Sequence, residues 1–437
     1  MKKSANFFSL SAVVLVVFSI PVIWAQNILA EPGNYPSKWY GWWHPTEKIV
    51  APVDGAMPEF ENQKIIKSWG YQTGNSLEEI RDLFPGDGFY EICLKNPKVW
   101  GDFRINETPY IPYGKKEWIE ATEKYKGTAS LDEKGHLRNY KAGIPFPGTK
   151  DPIEMIWNMV KNRLQGDNYG NIVGVTIQAV IDKNGHTRWL LALNLQLFFD
   201  GRLVMDPKPL YEPNPRNFMY LHSFGFLSPS DLKGTFTLDY RYDDPDKQDD
   251  MWMYITALRR IRRMSTAQRW DRVNGGNDTM WDTFQAFSGK PTNYKWKYHG
   301  KKELLGMFHA SQQPQMQKNR HLGACDQFWQ RINCEVLEGI PQITSPVSRF
   351  LLFLEPQTYV VLWSICYDKR GREWLVYYSG NPVDKKWNKA PTNMTYLDLQ
   401  RTHASTTCLL GAGGDCEWLG RPAFFTLNKL KLHFGGR

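Results

Sequence analysis

The chain of 437 residues lacks a second long apolar run. Beyond the first thirty residues, no stretch is long and apolar enough to cross a bilayer as a helix. The opening stretch has Lys2 and Lys3, an apolar run over residues 7–24 and small residues after it. This pattern is typical of a secretory signal peptide, which we place at residues 1–25. A membrane anchor is the alternative, and Pro21 with the polar residues after the run disfavours it. We therefore expect export to a Gram-negative periplasm and no nucleic-acid partner.

Motifs of well-known enzyme classes are missing as well. The sequence has no Gly-x-Ser-x-Gly elbow, no His-Glu-x-x-His pair and no phosphate-binding loop. Ser230 and Lys233 match Ser-x-x-Lys, but the partner motifs of that class are absent. The nine histidines lack ligand spacing and no Cys-x-x-Cys pair occurs, which argues against zinc. The sequence thus predicts no enzyme, no metal and no cofactor.

Cysteines are few, six in all, and four of them lie in two close pairs. An oxidising compartment favours pairing, so we predict a Cys408–Cys416 disulfide across a glycine-rich loop and a Cys325–Cys334 disulfide. Cys93 and Cys366 stand alone, and Cys366 lies in an apolar strand pattern that is typical of a buried free thiol. Connectivity does not follow from spacing alone.

After the predicted signal peptide, the chain has two parts that differ in composition and pattern. Residues 26–150 are rich in Pro, Gly and aromatics, which indicates an irregular segment that packs over something else. Two short helices are predicted there, at "NSLEEIRDLFP" and "KKEWIEATEKYKG". A stronger helix follows at "DPIEMIWNMVKNRL", where Asp151 is the N-cap, Pro152 fills the first turn and the apolar residues fall on one face. We treat residues 151–437 as a second unit, a curved sheet.

From residue 171 the apolar period changes from helical to two. Asn184-Gly185 lies between two alternating runs, which is a strong hairpin signal. Similar hairpins are predicted at "GTFTLDYRYDDPDKQDDMWMYIT" and at "RFLLFLEPQTYVVLWSICYDKRGREWLVYYSG". Successive hairpins indicate a mainly β (α+β) fold built on a large curved antiparallel sheet or barrel. The 18 Trp and 21 Tyr suit either an apolar cavity or a sugar-stacking surface.

The most concentrated positive charge lies in "LRRIRRM", with Arg259, Arg260, Arg262 and Arg263. A strand would put Arg260, Arg262 and Met264 on one face and Arg259, Ile261 and Arg263 on the other. The preceding "MWMYI" favours that strand over a helix. Solvation, or pairing with the aspartates of "DDPDKQDD", is the structural alternative to anion binding.

The residues from "TFTLDYRYDDPDKQDDMWMYITALRRIRRMSTAQRWD" to "DTFQAFSGKPTNYKWKYHGKKELL", with "GIPFP…EMIWN" upstream, resemble domain of unknown function 1329. This family contains exported Gram-negative proteins related to the LolA/LolB lipoprotein-sorting proteins. The match is good over residues 143–310 and looser through "FLEPQTYVVLWSICYDKRG". The resemblance implies a LolA/LolB-type half-barrel with an apolar concave side beneath helices and loops. The chain is about twice as long as a simple lipoprotein carrier, which puts lipoprotein cargo in doubt.

The function that follows from this resemblance is a periplasmic carrier for a lipid or other hydrophobic molecule, in outer-membrane lipid or lipoprotein trafficking. We predict that Phe236, Leu238, Tyr240, Trp252 and Tyr254 line the apolar concavity. The four arginines would bind anionic head groups, since guanidinium groups bind phosphate and carboxylate bidentately. The family resemblance also implies an inner-membrane resistance-nodulation-type lipid exporter or the outer membrane as partner. The alternative is an exported carbohydrate-binding protein, or an uncharacterised hydrolase, using Trp and Tyr on its surface, including "WYGWWHP".

Overall fold

The computed structural model describes residues 63–66, 77–95, 103–106, 116–162, 171–203, 205–273, 276–307, 328–380, 393–413 and 421–435. The predicted signal peptide, the "WYGWWHP" segment, Cys325 and Cys416 lie outside these ranges. Within them, no helix has both the length and the apolar character to cross a bilayer.

The described residues form mainly strands, and the four α-helices among them are short. The helices are α1 (Asp87–Lys95), α2 (Lys116–Tyr125), α3 (Pro152–Asn162) and α4 (Leu427–His433). The strands are β1 (Gln63–Ile66), β2 (Phe103–Asn106), β3 (Ser130–Leu131), β4 (Leu137–Arg138), β5 (Asn171–Ile181), β6 (Thr187–Phe198), β7 (Phe218–Ser228), β8 (Phe236–Tyr242), β9 (Asp250–Ile255), β10 (Arg260–Met264), β11 (Tyr294–Gly306), β12 (Phe328–Pro341), β13 (Val347–Leu354), β14 (Val361–Asp368), β15 (Glu373–Gly380), β16 (Asn393–Asp398) and β17 (His403–Gly413). Six 3-10 helices complete the set: Leu77–Leu83, Thr256–Leu258, Thr266–Trp270, Trp281–Ala286, Pro291–Asn293 and Pro422–Phe424.

Fifteen of the strands form one sheet, in the order β1–β2–β12–β13–β14–β15–β16–β17–β5–β6–β7–β8–β9–β10, with β11 also paired to β12. Without β1 and β2, the other thirteen strands run antiparallel throughout. The pairing of β2 with β12 is parallel. The predicted mainly β fold with a large curved antiparallel sheet is therefore confirmed.

Local sequence signals account for the main elements. Asp182 accepts hydrogen bonds from the backbone N–H groups of Asn184 and His186, and Gly185 has φ 84°, which closes the predicted β5–β6 hairpin. The carboxylate of Asp151 accepts from the N–H of Ile153 at 2.9 Å and so starts α3 at Pro152. Arg260, Arg262 and Arg263 lie in strand β10, so the helix alternative is wrong for them. Arg259 precedes the strand in a left-handed conformation, with φ 49°, so its predicted place on a strand face is wrong.

The sheet curls around the segment Ser265–Asn293, which crosses from β10 to β11. Phe287 in this segment packs on Phe350 of β13, with ring centroids 5.9 Å apart, while Arg241 of β8 donates to the next residue, Ser288, at 3.1 Å. β8 and β13 are eight positions apart in the sheet, or about 38 Å if it were flat. The face towards Ser265–Asn293 is therefore the concave face of a half-barrel, and α2 and α3 pack on its β11–β16 part.

The opposite, convex face carries two separate covers. The 3-10 helix Leu77–Leu83 and α1 pack on the β12–β16 part, where Phe89 makes an edge-to-face contact with Trp363 at 4.9 Å. At the other limb, α4 packs on β6–β9. One cover comes from the N-terminal part of the chain and the other from its C-terminal end, and both pack on the same continuous sheet.

Candidate functional site: the α4-covered convex face and the basic edge

The five residues that the sequence places in a ligand site lie together on β8 and β9. Phe236 opposes Tyr254, and Leu238 opposes Trp252, so these residues share one face of the sheet. That face continues onto β6 and β7 as a large apolar surface. Its buried members are Leu193, Leu195, Leu197, Leu221, Phe236, Leu238 and Tyr254.

Helix α4 closes this surface. The Phe434 ring stacks on Phe236 with centroids 5.5 Å apart, and the hydroxyl of Tyr240 donates to the carbonyl of Phe425 at 2.6 Å. Gly225 of β7 lies beneath the ring, where a Cβ would come within 2.4 Å of Phe434. Phe434 therefore enters a socket that exists because residue 225 has no side chain. Phe425 and Leu430 complete the buried face of the cover.

This placement corrects the prediction in one respect. Phe236, Leu238, Tyr240, Trp252 and Tyr254 lie on the convex face beneath α4 and do not line the concavity. The apolar alternation along the strands correctly placed these residues next to one another on one face of the sheet. It could not show whether that face is concave or convex, because this depends on the curvature of the whole sheet. Their role in binding a ligand stays a prediction.

The concave face carries a strip of buried polar residues where it crosses β17, β5, β6, β7 and β8. His222 Nε2 lies 2.8 Å from Asn194 Oδ1, and Gln178 donates to Thr407 at 3.1 Å. Thr176 is 2% exposed, and its hydroxyl has no hydrogen-bond partner among the described residues. The buried polar residues of this face also include Gln196, Thr237, Asp239 and Ser405. On β5–β7 these polar residues lie beside an apolar cluster on the same face, formed by Val180, Leu190, Ala192, Phe224 and Phe226. The implied apolar concave side therefore holds only in part here, and it holds more fully around β11–β16.

The four arginines lie on and beside the free edge of the sheet. β10 pairs with β9 on one side only in the described sheet, and its first four residues are exposed. The register places Arg262 opposite Met253 and Ile261 opposite Tyr254. Arg260 and Arg262 therefore share one face, as predicted, and this face is the concave one. Arg263 pairs with Asp250. The other three arginines form no ion pair with any described residue.

Sequence reasoning missed a buried ion network that holds the Ser265–Asn293 segment to β8. Arg241 donates to Asp249 at 2.8 Å and to the carbonyl of Gly289 at 2.7 Å, and Arg269 bonds Asp249 at 3.2 Å and also Asp282. Burial works against the charge of Asp249, but the adjacent Arg241 and Arg269 outweigh it and lower the pKa of its carboxyl. A signal was present in the sequence, since Arg241 stands between Tyr240 and Tyr242 in an alternating strand pattern.

A second network holds the same segment to β16 and β17. The buried carboxylate of Asp278 accepts from Arg272 at 2.7 Å and from the Ser405 hydroxyl at 2.8 Å, and it lies 2.6 Å from His403 Nδ1. Arg272 also bonds Asp398. The crossing segment is therefore fixed at both limbs of the half-barrel, and the polar strip lies between these anchors.

The cysteines divide into described and undescribed ones. Cys93, Cys334 and Cys366 are buried free thiols, and burial raises the pKa of each. The free thiol of Cys334 contradicts the predicted Cys325–Cys334 disulfide. Cys416 lies outside the described residues, so the Cys408–Cys416 disulfide stays a prediction.

Fold and site together define a half-barrel with a helix-covered apolar convex face and a basic edge. The family described as Protein of unknown function (DUF1329) matches residues 102–431, and the chain belongs to this family. The uncharacterized protein PA3922 of Pseudomonas aeruginosa is 29% identical over 190 residues. That alignment spans 42% of this chain and 39% of the relative, well under half of its length.

Several solved structures have a similar fold. A DUF1329 family protein from Desulfovibrio piger is 15% identical, with a TM-score of 0.47, covering 64% of this chain and all of that one. A putative outer membrane lipoprotein-sorting protein domain from Vibrio parahaemolyticus is 16% identical, with a TM-score of 0.46, covering 64% and 97%. The LolA superfamily protein NE2245 from Nitrosomonas europaea is 11% identical, with a TM-score of 0.39, covering 61% and 97%. These likenesses concern the fold alone.

Proposed function

We propose that this protein is an exported, non-catalytic carrier of a lipid or other hydrophobic molecule, which binds between α4 and the convex face of β6–β9. One observation carries the proposal: a continuous apolar surface on four strands is closed by a single seven-residue helix and the two phenylalanines that flank it, Phe425 and Phe434. A helix this short has little stability of its own, so its position depends on the contacts of its apolar face. An acyl chain that contributes about 0.8 kcal/mol per buried CH₂ can compete with those contacts.

The arginines supply the second part of the proposed site. Tyr254 and Trp252 lie at the border of the apolar surface, directly opposite Ile261 and Arg263 of β10. Arg263 lies on the same face as this border, and the adjoining rim of the sheet carries Arg259, Arg260 and Arg262, which have no carboxylate partner among the described residues. We propose that an anionic head group binds at this rim. Outer-membrane lipid trafficking, with a resistance-nodulation-type exporter or the outer membrane as partner, is the setting we propose.

The decisive experiment is photo-crosslinking with a diazirine-bearing phospholipid, followed by peptide mass spectrometry. We expect crosslinks in β6–β9 and α4, and lipid in organic extracts of the purified protein. Gln at positions 260 and 262 should weaken binding of an anionic short-chain lipid by about 1–3 kcal/mol per lost charged hydrogen bond and spare a neutral probe. Absence of any bound or crosslinked lipid would refute the carrier proposal.

One observation favours a second candidate, binding of a hydroxyl-rich ligand such as a sugar. The polar strip on the concave face carries amides and hydroxyls, and the Phe284 ring lies 6.2 Å from that of His222. Aromatic rings beside amides are suited to sugar recognition. Crosslinks from a photoactivatable glycoside to β5–β7, without lipid crosslinks on the convex face, would favour this candidate.

A further inference from the structure

The free edge of the half-barrel combines charge with exposed apolar side chains. Leu258 is 58% exposed and Ile261 is 45% exposed, both among the four arginines. Helix α4 adds Leu432, which is 76% exposed and has the highest exposure of the large apolar residues that the structure describes. Two further exposed apolar residues, Ile340 and Ile343, lie at the other limb of the sheet. Three of the five most exposed apolar side chains therefore gather at one edge.

These three side chains lie on one surface. Ile261 points to the convex side, opposite Tyr254, and the ammonium group of Lys431 lies 5.4 Å from the centre of the Tyr254 ring. α4 thus stands next to β10. Leu430 and Phe434 face the sheet, so Leu432, about 200° around the helix from Leu430, faces outwards. We call this surface, together with the adjoining rim of β10, the basic edge. Its members are Leu258, Arg259, Arg260, Ile261, Arg262, Arg263, Lys429, Lys431 and Leu432, of which Arg260 and Arg262 project from the concave side of the rim.

The charge of the basic edge has one sign. Its six cations are matched by one described carboxylate, that of Asp250, which pairs with Arg263. The α4 sequence "LNKLKLH" contains no acidic residue. Surfaces that bind anionic membranes typically expose leucine and isoleucine among arginines and lysines. The cations bind the lipid head groups, and the apolar side chains enter the interface.

We propose that the basic edge docks the protein on the surface of an anionic phospholipid bilayer. The inference rests on the proposed carrier function, because a lipid carrier must meet a membrane to load or deliver. The three apolar tips come from a 3-10 helix, a strand and an α-helix, and such a two-dimensional array fits a plane better than an extended peptide. Pairing of β10 with a second copy would set arginine against arginine, which is unfavourable.

The test is flotation of the ligand-free full chain with phosphatidylglycerol–phosphatidylethanolamine vesicles and with phosphatidylcholine vesicles. We expect binding to the first and little to the second, with a loss at high salt. Arg260→Gln and Arg262→Gln should each weaken partitioning about fivefold. Leu258→Ser with Ile261→Ser should weaken it about tenfold and leave charge unchanged. Matched controls at the other limb are Ile340→Ser with Ile343→Ser, and Lys369→Gln with Arg370→Gln.

Three outcomes would overturn the proposal: no binding to anionic vesicles, equal binding to both vesicle types, or equal loss in the control variants. Capture of a polyglutamate peptide without vesicle binding would assign the edge to an acidic polypeptide. Dimerisation that the Leu258/Ile261 variant abolishes would assign it to a second copy. Binding of a soluble short-chain lipid by the same Leu258/Ile261 variant separates the two ideas, since it should persist if only docking depends on these residues.

Discussion

The Phe434 socket permits a quantitative test of how α4 is held. Phe434 is 3% exposed, and Phe→Ala at such a site costs about 3–5 kcal/mol. Gly225→Ala perturbs the same contact from the opposite side, because the new Cβ would lie 2.4–2.6 Å from three ring carbons. Overpacking of this kind costs about 1–3 kcal/mol. Both variants should release α4 and increase the fluorescence of an apolar dye that binds the uncovered surface.

The two changes should not add. In a Phe434→Ala background the ring is gone, so Gly225→Ala removes only backbone freedom in a strand and should stabilise by about 0.5–1 kcal/mol. The double-mutant cycle should therefore give a coupling of about 1.5–4 kcal/mol, measured by urea unfolding with dye binding as a second readout. Additive free energies, within about 0.5 kcal/mol, would mean that the ring does not occupy this socket in solution.

Three further predictions concern other parts of the molecule. Asp249→Asn should lower the free energy of unfolding in urea by about 3–5 kcal/mol, because it leaves buried arginines without their carboxylate. As the control, Asp231→Asn in an exposed ion pair should lower it by under about 1 kcal/mol. Similar costs for the two variants would contradict the buried network. Burial lowers the pKa of His433 from 6.5 to about 4, so below pH 6.5 the unfolded chain gains a proton that the folded one resists. Stability should fall by about 2–3 kcal/mol as the pH drops from 6.5 towards 4, and His433→Gln should remove that part of the slope. Non-reducing peptide mapping should find the Cys408–Cys416 linkage and a free thiol at Cys334, and a free thiol at Cys408 would refute the linkage.

The hairpins were predictable because their signals are local. Period-two alternation and an Asn-Gly turn defined β5 and β6, and the same reasoning gave the correct partners in β8, β9 and β10. Helix α3 followed from its cap and its proline. Local signals do not show in which direction a sheet of fifteen strands curls. Because of that direction, the five predicted ligand residues lie on the convex side.

Helix α1 could not be predicted from its own sequence. It begins in "PGDGF", which is typical of a loop, because glycine is a poor helix former. The reason for the glycines lies 285 residues away: the carboxylate of Glu373 accepts from the N–H of Gly88 at 2.9 Å. A Cβ at Gly86 would lie 2.3 Å from the same carboxylate. A contact between distant parts of the chain thus overrides local propensity, and the two ion networks around Asp249 and Asp278 were missed for the same reason.

The three buried thiols give the fold a built-in set of reporters. Cys93 lies in α1 and Cys334 in β12, both in the core beneath the N-terminal cover, whereas Cys366 of β14 belongs to the core on the concave side. Each is shielded when its own cover is closed, so a thiol reagent can reach it only after a local opening. The order in which the three react in native buffer therefore ranks the opening free energies of the two faces. No label needs to be introduced, because the reaction order of the three native cysteines shows which face of the half-barrel opens first.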